Sequence, residues 1–305
     1  MAEQDLNRNI NELNEQKIKQ QIENIGYGVM TTSFFHPLSF TRTLMQLGHE
    51  PFPLEKGKVY VFFGRNAYFL PNFYRYLNNF YLSHGFATIF TGVGGHALQT
   101  FLHLSGVVLC SVISRPFTAI RQIAQLIGNE TKYLPINPFQ PLLLIGAEEG
   151  PPGLFSGLMP VIVNGLISVW GTTICIYLVD IVYNKMIKVD GWENLRPYEK
   201  QQFAEHLELC VLLRYNVCNF LVPSLVAFVQ YPFKLCSNLM AVAGSGLLAS
   251  LLPYSPTFNN WFDTYNYLAQ NCELYRGDWP CLRKEKGSIQ VGPDNKLYGS
   301  KKHFI

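Results

Sequence analysis

The stretch SRPFTAIRQIAQLIG, from Ser114 to Gly128, decides how the rest of the chain is interpreted. It has the character of an apolar helix, yet it contains Pro116 and, five residues later, Arg121. Proline removes a backbone hydrogen bond and kinks a helix, and an arginine in hydrocarbon is costly unless it faces a polar interior. The stretch therefore predicts a kinked helix whose arginine points into a polar environment.

Two other stretches repeat this arrangement. The stretch HPLSFTRTLMQLG keeps Pro37 and Arg42 at the same spacing, and YPFKLCSNLMAV is built on Pro232. Each proline motif is followed by a second signature that ends in an aromatic residue, any residue and glycine. Because two paired motifs recur in the same order, they indicate an internal repeat. The three signatures end with FTG at 90–92, FSG at 155–157 and YRG at 275–277.

The composition favours a membrane protein. Of the 305 residues, 48% are hydrophobic and only 15% are charged, against about 25% charged in soluble domains. Four stretches are apolar over about 20 residues, the length that crosses the hydrocarbon. They are residues 26–47, 97–127, 158–182 and 209–242.

Two further segments flank these predicted spans. Residues 3–25 place apolar side chains at helical spacing between charges, which predicts an amphipathic helix. Residues 68–81 are rich in aromatic rings, which predicts a helix at the membrane interface.

Several classes of function are excluded. The net charge of +3, without a basic run, does not favour nucleic acid. The seven cysteines form no C-x-x-C pair, and the histidines form no ligand pattern, so we expect no metal centre and no disulfide framework. We also find no phosphate-binding loop and no nucleophile elbow. The sequence therefore predicts a protein that is not an enzyme and has no cofactor.

The three paired motifs resemble those of the mitochondrial carrier family. That resemblance implies an all-α membrane protein with three repeats of two helices around a central cavity. In transporting carriers, an acid two residues after the proline and a base five residues after it close a gate. Here the first of these positions holds Ser39, Thr118 and Lys234, so no acid remains and Arg121 is expected to be free.

The helix count also departs from the family. No span follows Gly277, so the last helix is missing, and only 24 residues separate Gly92 from Pro116, so most of the second helix is missing too. We therefore expect a degenerate three-repeat bundle with a polar groove that opens sideways to lipid. Its predicted parts are an amphipathic helix at 1–25, repeats at 26–96, 97–206 and 207–277, and a polar tail at 278–305.

With these departures, the sequence resembles the mitochondrial carrier homolog branch of the outer membrane. Supporting stretches are FGRNAYFLPNF at 63–73 and GLFSGLMP at 153–160. The resemblance implies a multi-pass insertase of the mitochondrial outer membrane for tail-anchored and other α-helical proteins. It also implies docking of pro-apoptotic cell-death proteins.

Charges inside the predicted spans indicate where the groove lies. Five bases face one acid there, an excess that is costly against lipid, at about 2.5–3.5 kcal/mol for each charge. A shared, wetted interior would accept them and would favour acidic or neutral client segments, whereas Arg115 and Lys234 could instead extend to the head groups. The candidate groove residues are Arg42, Arg115, Arg121, Asn164, Asp180, Arg214, Asn216 and Lys234, and the candidate hinges are Pro37, Pro116 and Pro232.

Two alternatives remain open at this stage. The chain could be a solute carrier of the inner membrane, although the missing gate acids and helices weigh against that activity. It could also be a membrane scaffold or receptor that recruits partners through its loops and the segment 244–305, without insertase activity.

Overall fold

Helices dominate the computed structural model, which describes residues 2–58, 66–104, 119–187, 197–252, 254–278, 283–285 and 287–299. The helical character agrees with the predicted class. The α-helices are α1 (Ala2–Phe34), α2 (His36–Leu47), α3 (Phe73–His84), α4 (Val93–Leu104), α5 (Ile120–Ala124), α6 (Phe139–Glu148), α7 (Gly150–Leu154), α8 (Leu158–Ile187), α9 (Pro197–Asn216), α10 (Val222–Val242) and α11 (Trp261–Gln270).

The chain divides into two units. Unit 1 comprises Met1–Met159 and Leu235–Ile305, and unit 2 comprises Pro160–Lys234. The repeat boundaries predicted from the sequence remain predictions, since this division follows compactness and not repetition.

The core of unit 1 is built around α2. Pro37 lies in the first turn of this helix, and the chain turns at Phe35, where α1 has ended. A proline at this position cannot donate a hydrogen bond to the preceding turn, so the two helices are separate. Phe40 and Leu44 of α2 are fully buried, as are Tyr76 and Phe80 of α3.

Short strands modify the all-α prediction. Strands β1 (Glu55–Lys58) and β2 (Asn66–Leu70) pair antiparallel, and β3 (Arg283–Lys284) adds to the other edge of β2. A second pair consists of β4 (Gln290–Val291) and β5 (Leu297–Tyr298). The segment predicted as a polar tail therefore contains strands, and one of them docks on the first long connection.

A buried ion pair fastens this docked strand. Arg283 donates to Glu50 and to the carbonyl oxygen of Pro71, and the Arg283 and Glu50 side chains are each only 7% exposed. Burial raises the pKa of the Glu50 carboxyl, and the positive charge of Arg283 opposes that rise. The tail is therefore fixed to unit 1 by a contact that spans more than 200 residues of sequence.

Two helical segments are long and apolar enough to cross a membrane, Gly150–Ile187 and Ala204–Val242. They contain the third and fourth predicted spans. The second segment includes a π-helical turn at Val217–Leu221, where the N–H of Val222 bonds five residues back. Pro223 follows and has no N–H to continue the regular pattern, which accounts for the wider turn.

The first predicted span differs from the prediction. Residues 26–47 form the end of α1 and the buried helix α2, and neither is among the helices of the described residues that are both long and apolar enough to cross a membrane. The second predicted span, residues 97–127, is described only at its two ends, so it stays a prediction.

Candidate functional site

The three signature turns share one backbone geometry. Gly92, Gly157 and Gly277 have φ values of +89°, +72° and +77°. Glycine adopts this left-handed region without the steric cost that a Cβ atom brings. At Gly92 the space is also occupied, because a Cβ there would lie 2.7 Å from the Cβ of Ala119 in the second proline stretch. Each signature therefore ends in glycine for a local steric reason.

Each of the other two signature turns also contacts a proline stretch, and this stretch belongs to a different predicted repeat. The Ser156 hydroxyl donates to the carbonyl oxygen of Met240 at 2.5 Å, which joins the second signature to the third stretch. The Arg276 Nε donates to the carbonyl oxygen of Gln46 at 2.8 Å, which joins the third signature to the first stretch. The first signature, through Gly92, contacts the second stretch. The three contacts inside unit 1 therefore join the first signature to the second stretch, the second to the third and the third to the first.

Arg121 is held inside unit 1. Its Nη1 and Nη2 donate to the two carboxylate oxygens of Glu149 at 2.5 and 2.8 Å, and its Nε donates to the carbonyl oxygen of Ala241 at 2.6 Å. The residue is only 3% exposed. A bidentate arginine–carboxylate pair is a strong and directional contact, so this guanidinium has a fixed position.

Arg42 also has an acidic partner. Its Nη2 lies 2.7 Å from Oδ1 of Asp278, which directly follows the third signature. The Arg42 side chain is 42% exposed, and a pair of this kind contributes little to stability because water screens it.

The expectation that Arg121 is free is therefore wrong. The structure pairs Arg121 with Glu149 and Arg42 with Asp278, although neither acid lies at the gate position of the motif. The count of five bases against one acid omitted these carboxylates, because they lie in the signature regions outside the predicted spans. The predicted excess of positive charge is thus largely neutralised within unit 1.

Unit 2 contains an ion pair between its two membrane-length segments. Arg214 of α9 donates from Nε to Oδ1 of Asp180 in α8 at 2.7 Å. The guanidinium also lies over the ring of Tyr183, 5.2 Å from its centroid. The side chains of Arg214 and Asp180 are 43% and 35% exposed, so this pair remains accessible.

A polar contact between α8 and α10 lies toward the other end of the two membrane-length segments. The Nε2 of Gln230 donates to the backbone oxygen of Asn164 at 3.3 Å. The side-chain Oδ1 of Asn164 is buried and has no hydrogen-bond partner among the described residues. A buried acceptor without a donor is destabilising, so this oxygen can gain a hydrogen bond from a polar partner.

The predicted site residues do not gather at one place. Asp180 and Arg214 are in contact, whereas Arg42 and Arg121 lie in separate pairs of unit 1. Asn216 and Lys234 are exposed on unit 2, and Pro232 is buried inside α10. Arg115 and Pro116, together with Thr118, lie outside the described residues.

Sequence reasoning missed the acids that hold the arginines. Glu149 and Asp278 both lie beside a signature turn. Their position beside these repeated turns was the one feature of the sequence that could have identified them as partners of the arginines. The described residues include no cluster of three His, Cys, Asp or Glu side chains suited to a metal ion. The expected absence of a cofactor stays a prediction.

Comparisons with known proteins show which proteins this chain is similar to. No family model matches the chain. Mitochondrial carrier homolog 1 of Mus musculus is 26% identical over 303 residues, which cover 85% of this chain and 76% of that protein. Mitochondrial carrier homolog 2 of Homo sapiens is 27% identical over 305 residues, which cover 85% of this chain and 92% of that protein. The Bos taurus protein of the same name gives the same identity and coverage.

These relatives bear the name that the repeated motifs predicted, and their similarity extends over most of the sequence. The two apolar helices agree with a membrane protein of this kind. The chain is therefore similar to the mitochondrial carrier homologs over most of its length.

Proposed function

We propose that this chain is an insertase of the mitochondrial outer membrane. It would help tail-anchored and other α-helical proteins to enter the bilayer, and it would do so without enzymatic chemistry. The clients bring an apolar helix with a polar flank, and the barrier to insertion is the passage of that flank through hydrocarbon.

The observation that carries the proposal is the unsatisfied amide of Asn164. This residue lies on α8, six residues from the start of a membrane-length helix, and its Oδ1 has no partner among the described residues. Inside a bilayer such an acceptor binds water or the N–H groups of an entering segment. Gln230 lies beside it and adds a second amide at the same level.

The paired arginines of unit 1 support an insertase over a solute carrier. A carrier gate needs charged residues that change partners as access alternates. Arg121 is instead held by three hydrogen bonds, two of them to Glu149, in a site that is almost closed to water. A residue fixed in this way stabilises one conformation, which suits a groove that stays open.

The contacts of the signature turns support a carrier-like arrangement of three repeats. Three turns contact three proline stretches in cyclic order, as three related repeats would. We propose that the polar side of this bundle is open to lipid. An opening of this kind would let a client helix leave sideways.

The test uses mitochondria depleted of this chain and supplied again with variants. We expect Asn164→Leu to slow the insertion of a radiolabelled tail-anchored protein by roughly fivefold, since one hydrogen bond is worth about 1 kcal/mol. Ser168→Leu is the matched control, because it also replaces a polar side chain of α8, at a position that is exposed. The abundance of each variant is measured in the same samples.

Two outcomes would contradict the proposal. Depletion that leaves insertion unchanged would remove the insertase function, and recruitment of cytosolic partners that is lost at the same time would favour a scaffold. Equal slowing by the Asn164 and Ser168 variants would show that the amide of Asn164 has no special part in insertion.

A further inference from the structure

Unit 2 contains a sulfur–imidazole contact that has no part in the proposed function. Cys210 and His206 are four residues apart on α9, and the Sγ of Cys210 lies 3.6 Å from the Nδ1 of His206. Side chains at this spacing share one face of a helix, as the two histidines of the helical zinc motif do. Cys210 also lines an open groove of about 260 Å³ between α8 and α9, and Met186 lines the same groove from α8.

The register of the helices places Met186 beside this contact. Asp180 of α8 is paired with Arg214 of α9, and the polar contact between α8 and α10 fits the same antiparallel register. In that register Met186 is level with the point midway between His206 and Cys210. At 1.5 Å per residue, it is offset along the helix axis by only about 3 Å from either of them.

The distance between sulfur and nitrogen suits two ligands of one ion. Metal bonds of about 2.3 Å to sulfur and about 2.0 Å to nitrogen, the lengths found for zinc, put two such ligands about 3.5–3.7 Å apart at tetrahedral or trigonal angles. The 3.6 Å between the Sγ of Cys210 and the Nδ1 of His206 falls within this range. These two side chains are therefore already at ligand spacing.

The three side chains lie where an ion can reach them from water. Arg214 and Lys234 are 20 residues apart in one helical segment, which corresponds to about 30 Å, the thickness of the hydrocarbon layer. Arg214 therefore marks one interface, and Cys210 and His206 lie about one and two turns beyond it, outside the hydrocarbon. His206 is exposed, whereas Cys210 is only 7% exposed.

This set of ligand atoms favours copper(I). Thiolate and thioether sulfurs are soft ligands that select Cu(I), and imidazole also binds copper. Magnesium and calcium prefer oxygen ligands, and the usual ligands of zinc do not include a thioether. The sequence predicted no metal centre because only cysteine and histidine patterns along the chain were counted. Here a methionine on a second helix supplies the third ligand.

We propose that Cys210, His206 and Met186 bind one copper(I) ion between α8 and α9. The thiol loses its proton to the solvent on binding, and the ion enters as Cu(I), so no electron is transferred. The bound ion joins the two helices on the aqueous side of Arg214. This site is separate from the amides that carry the proposed function, and its occupancy does not depend on the insertion of clients.

The test uses the full-length chain, purified in detergent without oxygen and titrated with Cu(I) in competition with bicinchoninate. We expect one tightly bound Cu(I) per chain, with two sulfur neighbours and one imidazole in the X-ray absorption spectrum. Cys210→Ser should weaken binding by at least about 100-fold, since loss of an outer-shell partner alone costs about 10–100-fold. Cys218→Ser is the matched control, because Cys218 lies on the same helical segment but outside the groove lining.

The other two ligands are tested in the same way. Met186→Leu should weaken binding by about tenfold and remove one sulfur neighbour from the spectrum. Met159→Leu is its control, because Met159 also lies exposed on α8 but outside the lining. His206→Gln should remove the imidazole from the spectrum. This exposed position keeps the inference testable if Cys210→Ser fails to fold.

Three results would overturn the inference. They are an affinity that neither Cys210→Ser nor Met186→Leu changes, a spectrum with sulfur neighbours alone, as for copper held by cysteines elsewhere in the chain, and displacement of the copper by an equal concentration of Zn²⁺. No client is present in this measurement, so it can succeed or fail independently of the proposed insertase function.

Discussion

Arg121 in unit 1 and Arg214 in unit 2 both pair with a carboxylate, but their surroundings differ greatly. The side chain of Arg121 is 4% exposed and binds Glu149 through both terminal nitrogens. The side chain of Arg214 is 43% exposed and binds Asp180 through Nε. The two arginine–carboxylate pairs therefore have the same chemistry but differ in how deeply they are buried.

The difference shows which arginine is available for function. A buried pair that loses one partner leaves an uncompensated charge, which is strongly destabilising. An exposed pair contributes about 0–1 kcal/mol, and its members remain accessible to ligands. We conclude that Arg121 mainly maintains the architecture of unit 1, whereas Arg214 can bind something outside the chain.

The largest expected effect belongs to Arg121. Replacement by methionine leaves the Glu149 carboxylate without its partner and should lower the free energy of unfolding by about 3 kcal/mol. Thermal melting of the purified chain in detergent measures this loss. Arg42→Met is the control, because the Arg42 side chain is 42% exposed, against 4% for Arg121. Equal melting temperatures for the two variants would show that burial does not distinguish the pairs.

A second prediction concerns Arg283, whose partner Glu50 is equally buried. Burial already raises the pKa of Glu50, so its contribution to stability is lost as pH rises through that pKa. Arg283→Met removes the charge that opposes the rise, and the pKa of Glu50 should increase further. The variant should therefore be destabilised more at about pH 8 than at about pH 5.

Unfolding of wild type and Arg283→Met at both pH values measures this dependence. The double variant Arg283→Met with Glu50→Gln is the control, because it has no titrating carboxyl at this position. A loss of stability that is the same at both pH values, or larger at the lower one, would contradict the assignment of the pair.

The smallest expected change in stability belongs to Arg214. Replacement by methionine should leave the free energy of unfolding nearly unchanged, because water screens the pair with Asp180. Melting of Arg214→Met beside Arg121→Met compares the two pairs directly. A loss for Arg214 as large as that for Arg121 would mean that both pairs are structural.

Much of the fold could be predicted from local patterns. The glycines of the signatures and the third and fourth apolar stretches are short-range features, and the structure retains them. The partners of the arginines could not be predicted in the same way. Arg121 and Glu149 are 28 residues apart, and Arg42 and Asp278 are 236 residues apart. Such contacts depend on how the chain packs.

The first predicted span shows a second limit. Residues 36–47 are apolar enough to resemble part of a membrane helix, yet α2 is buried by its neighbours on most sides. Hydrophobicity is the same signal for a helix buried in protein and for one buried in lipid. The docking of the tail strand β3 could not be predicted either, because a strand of two residues is too short to show an alternation of apolar and polar side chains.

Insertion by the purified chain alone tests the proposed function most directly. A tail-anchored client, held soluble by a chaperone, is offered to liposomes that contain the chain or lack it, and the fraction that resists carbonate extraction is followed with time. We expect faster insertion into liposomes with the chain, and a rate for Asn164→Leu that falls toward that of empty liposomes. Equal rates with and without the chain would contradict the claim that it is an insertase.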